Sequence, residues 1–259
     1  MWSFGLVGRT ITLNGRTLKI EEQLSEVLDR RVGQRNALIK ARNTENNIVS
    51  LIKMRYQLDP GSFDLDDTEK KQAKEDAWYH FCDEVEAARL LSDAGLGPQY
   101  LDHLSRIQPA WMPFPSGYTD FLVMKVPPSQ NLDEIHDELT DRQLASIRTQ
   151  LAHVLETLRQ KGWTLIQQHP SYLNYDVRTN KLYLVDLADF EFTDPDSKTS
   201  FPIDEDSPFV EAFNIWRAPY QKPEKVPDQA GKAPSSNKPA GKKQPSDQTE
   251  KKNLPPGRH

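Results

Sequence analysis

Residues 162–192 read GWTLIQQHPSYLNYDVRTNKLYLVDLADFEF. The stretch opens on Gly162, crosses a loop containing Pro170, and runs into a short apolar strand, Leu182-Tyr183-Leu184-Val185, that ends on Asp186. The helix leading in is the clearest in the chain. Thr140 with Gln143 makes a capping box, and Leu144, Ile147, Leu151, Val154, Leu155 and Leu158 form one apolar stripe that Gly162 closes.

Working backward, Phe121–Val126 reads as a buried strand followed by Pro127-Pro128, and Asn131–Leu139 as a short helix. From Asp67 the composition turns helical, with Trp78, Phe81, Cys82, Val85, Ala88 and Leu91 spaced as one face and Gly95, Gly97 and Pro98 as the stop. Ile48–Tyr56 is the best strand of the first half and carries a single lysine, Lys53. Ser25–Arg31 and Asn36–Ala41 are weaker runs parted by a turn at Gly33, and Asn14-Gly15 predicts a hairpin within residues 10–20. The first half is therefore expected to be a small antiparallel sheet.

Forward of Phe192, residues 193–206 read as loop, and Phe209, Phe213 and Trp216 anchor a last helix over 208–218. From Tyr220 seven prolines stand among Lys, Ser, Gln and Gly, a composition expected to be disordered. From Gln221 to His259 nine Lys/Arg face four Asp/Glu, so this tail is basic while the remainder carries a net charge of −10. So acidic a body argues against nucleic acid as a partner. One cysteine, Cys82, excludes an intrachain disulfide and fits a reducing compartment. The first residues do not read as a secretory signal, and no run approaches the ~20 apolar residues of a membrane span. The expectation is an intracellular protein, cytoplasmic or nuclear, with no membrane partner.

This order resembles the protein-kinase-like fold: a β-rich start with a lysine on its third main strand, an acid-bearing helix, a strand before Pro, a long helix, a loop with Pro and a strand ending on Asp. The resemblance covers about residues 20–217 and is nearest in style to choline-kinase and aminoglycoside-phosphotransferase types and to fungal kinase-like proteins. EVEAARLLSDAGLGPQYL (residues 84–101) is similar to the helix and turn of those groups. The resemblance implies an α+β, two-lobed fold. Residues 1–19 would be a hairpin extension, 20–120 the N-lobe, 121–219 a truncated C-lobe and 220–259 the tail.

It also implies roles. Lys53 would neutralise nucleotide phosphates, held by Glu84, with Glu86 as the alternative. Val123, Met124 and Val126 would line an adenine pocket at the hinge. Asp186 would bind Mg²⁺, although Asp186-Leu187-Ala188 stands where protein kinases have Asp-Phe-Gly. The catalytic loop departs further. Aligned on Pro170 and Tyr175-Asp176, Gln167 falls at the catalytic Asp and Tyr172 at the metal-binding Asn, and neither side chain can do that work. Sliding by two residues offers His169 as a base and Asn174 as a metal ligand. The phosphate-gripping turn has only Gly33, with Arg30, Arg31 and Arg35 as substitute cations. The implied function is a pseudokinase-type nucleotide-binding or scaffold protein, with ATP and Mg²⁺ as cofactors. The alternatives are an active small-molecule phosphotransferase using His169, Asn174 and Asp186, or an interaction protein with a protein partner and no nucleotide.

Overall fold

The computed structural model describes residues 3–63, 65–187 and 190–216. Met1–Arg217 cluster as one unit. The tail expected from residue 220 and the helical residues expected at 217 and 218 lie outside the described residues. Among the described residues no helix is long and apolar enough to cross a membrane.

Asn14 and Gly15 both take positive φ, 47° and 78°, as a two-residue type I′ turn requires. They join β1 (Thr10–Leu13) to β2 (Arg16–Asp29), with Leu13 opposite Arg16. The chain continues through β3 (Gln34–Asn43) and β4 (Val49–Gln57) to α1 (Asp67–Asp93), then β5 (Tyr100–Ile107) and β6 (Tyr118–Lys125). These six strands form one antiparallel sheet in the order β1-β2-β3-β4-β6-β5.

Three expectations change. The second arm of the expected hairpin and the run beginning at Ser25 are one continuous strand, β2, with register shifts between Ile20 and Glu22 and between Gln23 and Ser25. Each shift adds an unpaired residue and bends the strand, which breaks the alternation that a sequence reading relies on. The boundary at 19/20 thus falls inside β2, and the one at 120/121 inside β6. Strand β5 was not expected, because none of its residues is fully buried and Asp102, His103, Ser105 and Arg106 interrupt its apolar positions.

Helix α1 starts on Asp66, whose carboxylate accepts from the Thr68 and Glu69 amides while Glu69 reaches back to the Asp66 N–H. It ends in a Schellman motif: the Leu96 N–H donates to Leu91 O and the Gly95 N–H to Ser92 O, with Gly95 at φ 68°. Phe81, Val85, Ala88 and Leu91 are buried as the spacing predicts, but Trp78 is 51% exposed, because Ala77 takes the position facing the sheet.

The second lobe follows through β7 (Gln130–Asn131), α2 (Leu132–Ile135) and α3 (Asp141–Arg159). Then come β8 (Trp163–Leu165), β9 (Leu173–Asp176), β10 (Lys181–Leu184), β11 (Phe190–Phe192) and α4 (Pro208–Glu211). Strands β10, β9 and β7 form one small sheet, and β8 pairs with β11. The Thr140–Gln143 capping box is formed, and all six residues of the α3 stripe are buried. Each such aliphatic burial is worth roughly 1.5–3 kcal/mol. The helix expected over 208–218 is a single turn, with Phe213 and Ile215 buried beyond it.

Two apolar clusters lie on opposite faces of the six-stranded sheet. One joins Leu38, Leu51, Leu122 and Met124 to α1, α3 and the β9–β10 hairpin. The other, with Ile20, Ile39, Ile52, Met54 and Phe121, fills the inside of the curl. The curl brings the two edge strands together. Arg106 Nη1 donates to the Thr12 carbonyl at 2.6 Å, and Asn14 Nδ2 to Asp102 Oδ2 at 2.5 Å. Side chains rather than a backbone ladder bridge β1 to β5.

Candidate functional site: the cleft around Lys53

Alternation along β4 puts Lys53 and Arg55 on the same face of the sheet, the one that α1 covers. Lys53 is 2% exposed. Its Nζ lies 2.7 Å from Glu84 Oε1 on α1 and 2.7 Å from Asp186 Oδ1 at the exit of β10. Glu86 points to solvent. Arg55 Nη2 holds the other Glu84 oxygen, Oε2, at 2.5 Å. Burial pulls the Lys53 ammonium down, but Asp186 and then Glu84 more than offset this, and its pKa is raised. The lysine is charged and paired on two sides.

A helix inserted between the third and fourth main strands, its carboxylate on a mid-strand lysine and an Asp at a strand exit in the second lobe, makes a distinctive arrangement. The fold is protein-kinase-like.

No family model matches the chain, and no curated protein matches its sequence. Among solved structures it is similar to the Cydia pomonella granulovirus kinase PK-1, at 12% identity and a TM-score of 0.44 over 68% of this chain and 52% of that one. It is also similar to vaccinia related kinase 3, at 16% identity and a TM-score of 0.43 over 76% of this chain and 56% of that one. The chain thus spans about half the length of either structure. The fold is carried by the strand order and the Lys53 contacts.

Beside Lys53 lies a cavity of about 310 Å³ between the lobes. Leu38 and Leu51 form its sheet side, Val126 and Pro127 its back, and Asn174, Val185 and Asp186 its floor. Val123 does not reach it; that side chain packs in the cluster on the other face, because it is one residue out of phase with Leu122 and Met124. Met124 lies in the core behind the wall.

The segment after β6 is short of donors. Residues 127 and 128 are prolines and have no N–H. The Ser129 N–H is taken by Pro127 O at 2.8 Å and that of Lys125 by Gln99 O at 2.8 Å. Among residues 125–129, Val126 carries the one N–H not paired within the chain.

The loop residues separate. His169 is exposed and caps the turn at Pro170–Tyr172: its Nδ1 accepts from the Ser171 N–H at 3.2 Å and lies 2.7 Å from Ser171 Oγ. It does not line the cavity. Tyr172 is structural, its carbonyl accepting the Val185 N–H at 2.8 Å and its hydroxyl facing Gln167 Oε1 at 3.4 Å. Asn174 and Ser171 do line the cavity. Asn174 and Asp186 are the oxygen donors on its floor that fit Mg²⁺, which in phosphate sites takes one or two carboxylates and the phosphates themselves. Among the described residues no three His, Cys, Asp or Glu side chains converge as a metal cage.

The turn at Gly33 is remote from the cavity. Gly33 has φ 60° and packs against the Phe63 ring, Arg31 pairs with Asp29, Arg35 lies 3.7 Å from Glu26, and Arg30 is exposed. The cavity is walled instead by the middle of β2 and β3, where the bulged stretch contributes Glu22, Leu24 and Ser25 beside Lys40. Lys40 is itself held by Glu22 at 2.7 Å.

Two residues escaped the sequence reading. Arg55 was legible in principle, since i and i+2 share a strand face. Asp120 was not. It lies opposite Arg55 in the β4–β6 register, is 2% exposed, and accepts from Ser105 Oγ. Burial pushes its carboxyl up to about 6, against the lowering effects of Ser105 and Arg55.

Proposed function

We propose that this chain is a kinase-like binding module without phosphotransfer chemistry, its cleft taking a nucleotide as the Mg²⁺ complex. One observation carries the reading. From the loop at 165–174 only Ser171 and Asn174 reach the cavity wall, and neither a hydroxyl nor an amide serves as the general base. Asp186 lines the cavity where phosphates and a metal would be held, and Lys53, backed by Glu84, lies 2.7 Å behind it. Glu22, Glu134 and Asp186 make the wall acidic, so a triphosphate needs the cation to enter. The prolines of the hinge leave the base edge weakly read. In such a module ligand binding serves to fix the two lobes, as a scaffold for a protein partner.

The test is a thermal-shift titration with ATP, with and without Mg²⁺, beside an assay of ATP turnover. The expected result is a Mg²⁺-dependent shift that Lys53→Ala removes, with no turnover. An unshifted wild type would leave the interaction protein with no nucleotide as the standing reading. The placement of Asn174 beside Asp186 favours a second reading, an active phosphotransferase on a small molecule. Turnover abolished by His169→Ala and by Asp186→Asn would establish it in place of the first.

A further inference from the structure

A second cavity, of about 300 Å³, lies on the sheet face opposite the cleft, between β1 and the end of β5. Ile11, Leu13, Met54, Met112, Phe121 and Trp111 give it an apolar interior. Besides the exposed Thr10 and Thr12 of β1, two polar side chains line it. Thr119 is 2% exposed, and its Oγ1 has no hydrogen-bond partner. A buried hydroxyl left unpaired is unfavourable, so the position calls for a partner that the protein does not supply. Arg106 is the other, and no acidic residue lines the cavity.

The two groups are neighbours by construction. Arg106 and Thr119 are directly opposite each other in the β5–β6 register, so their side chains emerge on the same face. Arg106 is anchored at the rim, where its Nη1 donates to the Thr12 carbonyl at 2.6 Å, and a guanidinium has further N–H donors to offer. A second cation stands close by, with the Arg9 guanidinium 5.4 Å from the centre of the Trp111 ring. A hydroxyl donor beside a guanidinium, at the edge of an apolar pocket free of carboxylates, matches an anion with an apolar body.

We propose that this cavity binds a small amphipathic carboxylate of medium-chain fatty-acid size. The carboxylate accepts from Thr119 Oγ1 and from Arg106, and the alkyl chain lies against Met54, Met112 and Phe121. The site is independent of the cleft, and nothing in it requires a nucleotide.

The four methionines make the test direct: Met54 and Met112 line this cavity, whereas Met124 lies in the other cluster. The full chain labelled with ¹³C-methyl methionine is titrated with octanoate and followed by NMR. Met54 and Met112 should shift saturably while Met124 stays in place. Octanamide, uncharged and of the same length, should bind at least about tenfold more weakly, as should octanoate to Arg106→Gln, since both remove the charge-assisted pair. The near-isosteric Thr119→Val, which keeps the packing, should weaken binding about fivefold. No shift at Met54 and Met112 below the micellar range overturns the site. So does a shift confined to Met124, and equal affinity for octanamide overturns the carboxylate assignment.

Discussion

Glu84 is the residue on which most of the buried charge depends. Its two oxygens hold Lys53 and Arg55, all three side chains being 4% exposed or less. Removing one member of a buried ion cluster strands the others without water, which typically costs about 3–5 kcal/mol. Glu84→Ala, which leaves Arg55 without its partner and Lys53 with Asp186 alone, should lower stability by that amount in urea unfolding. Asp186→Asn should cost less, because Lys53 keeps Glu84. Asp120 acts in the opposite sense. Its folded pKa, about 6, lies above the ordinary carboxylate value. Between pH 4 and pH 6 the unfolded chain therefore releases this proton while the folded chain retains it, and stability falls as pH rises. At neutral pH the penalty is up to about 3 kcal/mol, at 1.36 kcal/mol per unit. Asp120→Asn retains an oxygen for Ser105 and should raise the melting temperature at pH 7.5 but not at pH 4.

At the scale of elements, what could be read in advance was whatever local chemistry decides. The Asn14-Gly15 hairpin, the capping box at Thr140, the stripe of α3 and the glycine stop of α1 were all legible, because a turn or a cap needs only a few adjacent residues. Gly15 stands at φ 78° with nothing within 4 Å of an added Cβ, so strain rather than collision is the cost there. Gly15→Ala should destabilise by about 1 kcal/mol, measured against Gly5→Ala, which is also unobstructed but has no positive φ. Strand β5 escaped because an edge strand bearing polar residues on its open side lacks the alternation of a half-buried one. The continuity of β2 escaped because two bulges shift its phase. The same bulges explain why the expected arginines are absent from the cleft: the wall is made by the bent middle of the hairpin, not by its tip. That Lys53, Glu84 and Asp186 come together was legible from order along the chain, whereas the directions taken by Val123 and His169 depend on strand phase and loop reach, which order does not give.

For the molecule as a whole, the apolar cluster that includes Leu38, Leu51 and Met124 of the sheet also includes Leu151, Leu173 and Val185 of the second lobe. The lobes share one core across the cleft, and the Lys53–Asp186 contact ties them again. Residues 3–216 should therefore unfold in a single calorimetric transition, with the van't Hoff and calorimetric enthalpies equal. Two resolved transitions would mean that the curled sheet, which has a second cluster of its own, melts separately. The curl has a further consequence. An open sheet ends in two rows of unpaired amides and carbonyls, each a template on which another chain can polymerise. Here the two rows face each other across a seam spanned by Arg106 and Asn14. Along that seam the strands that would recruit a neighbouring molecule guard one another.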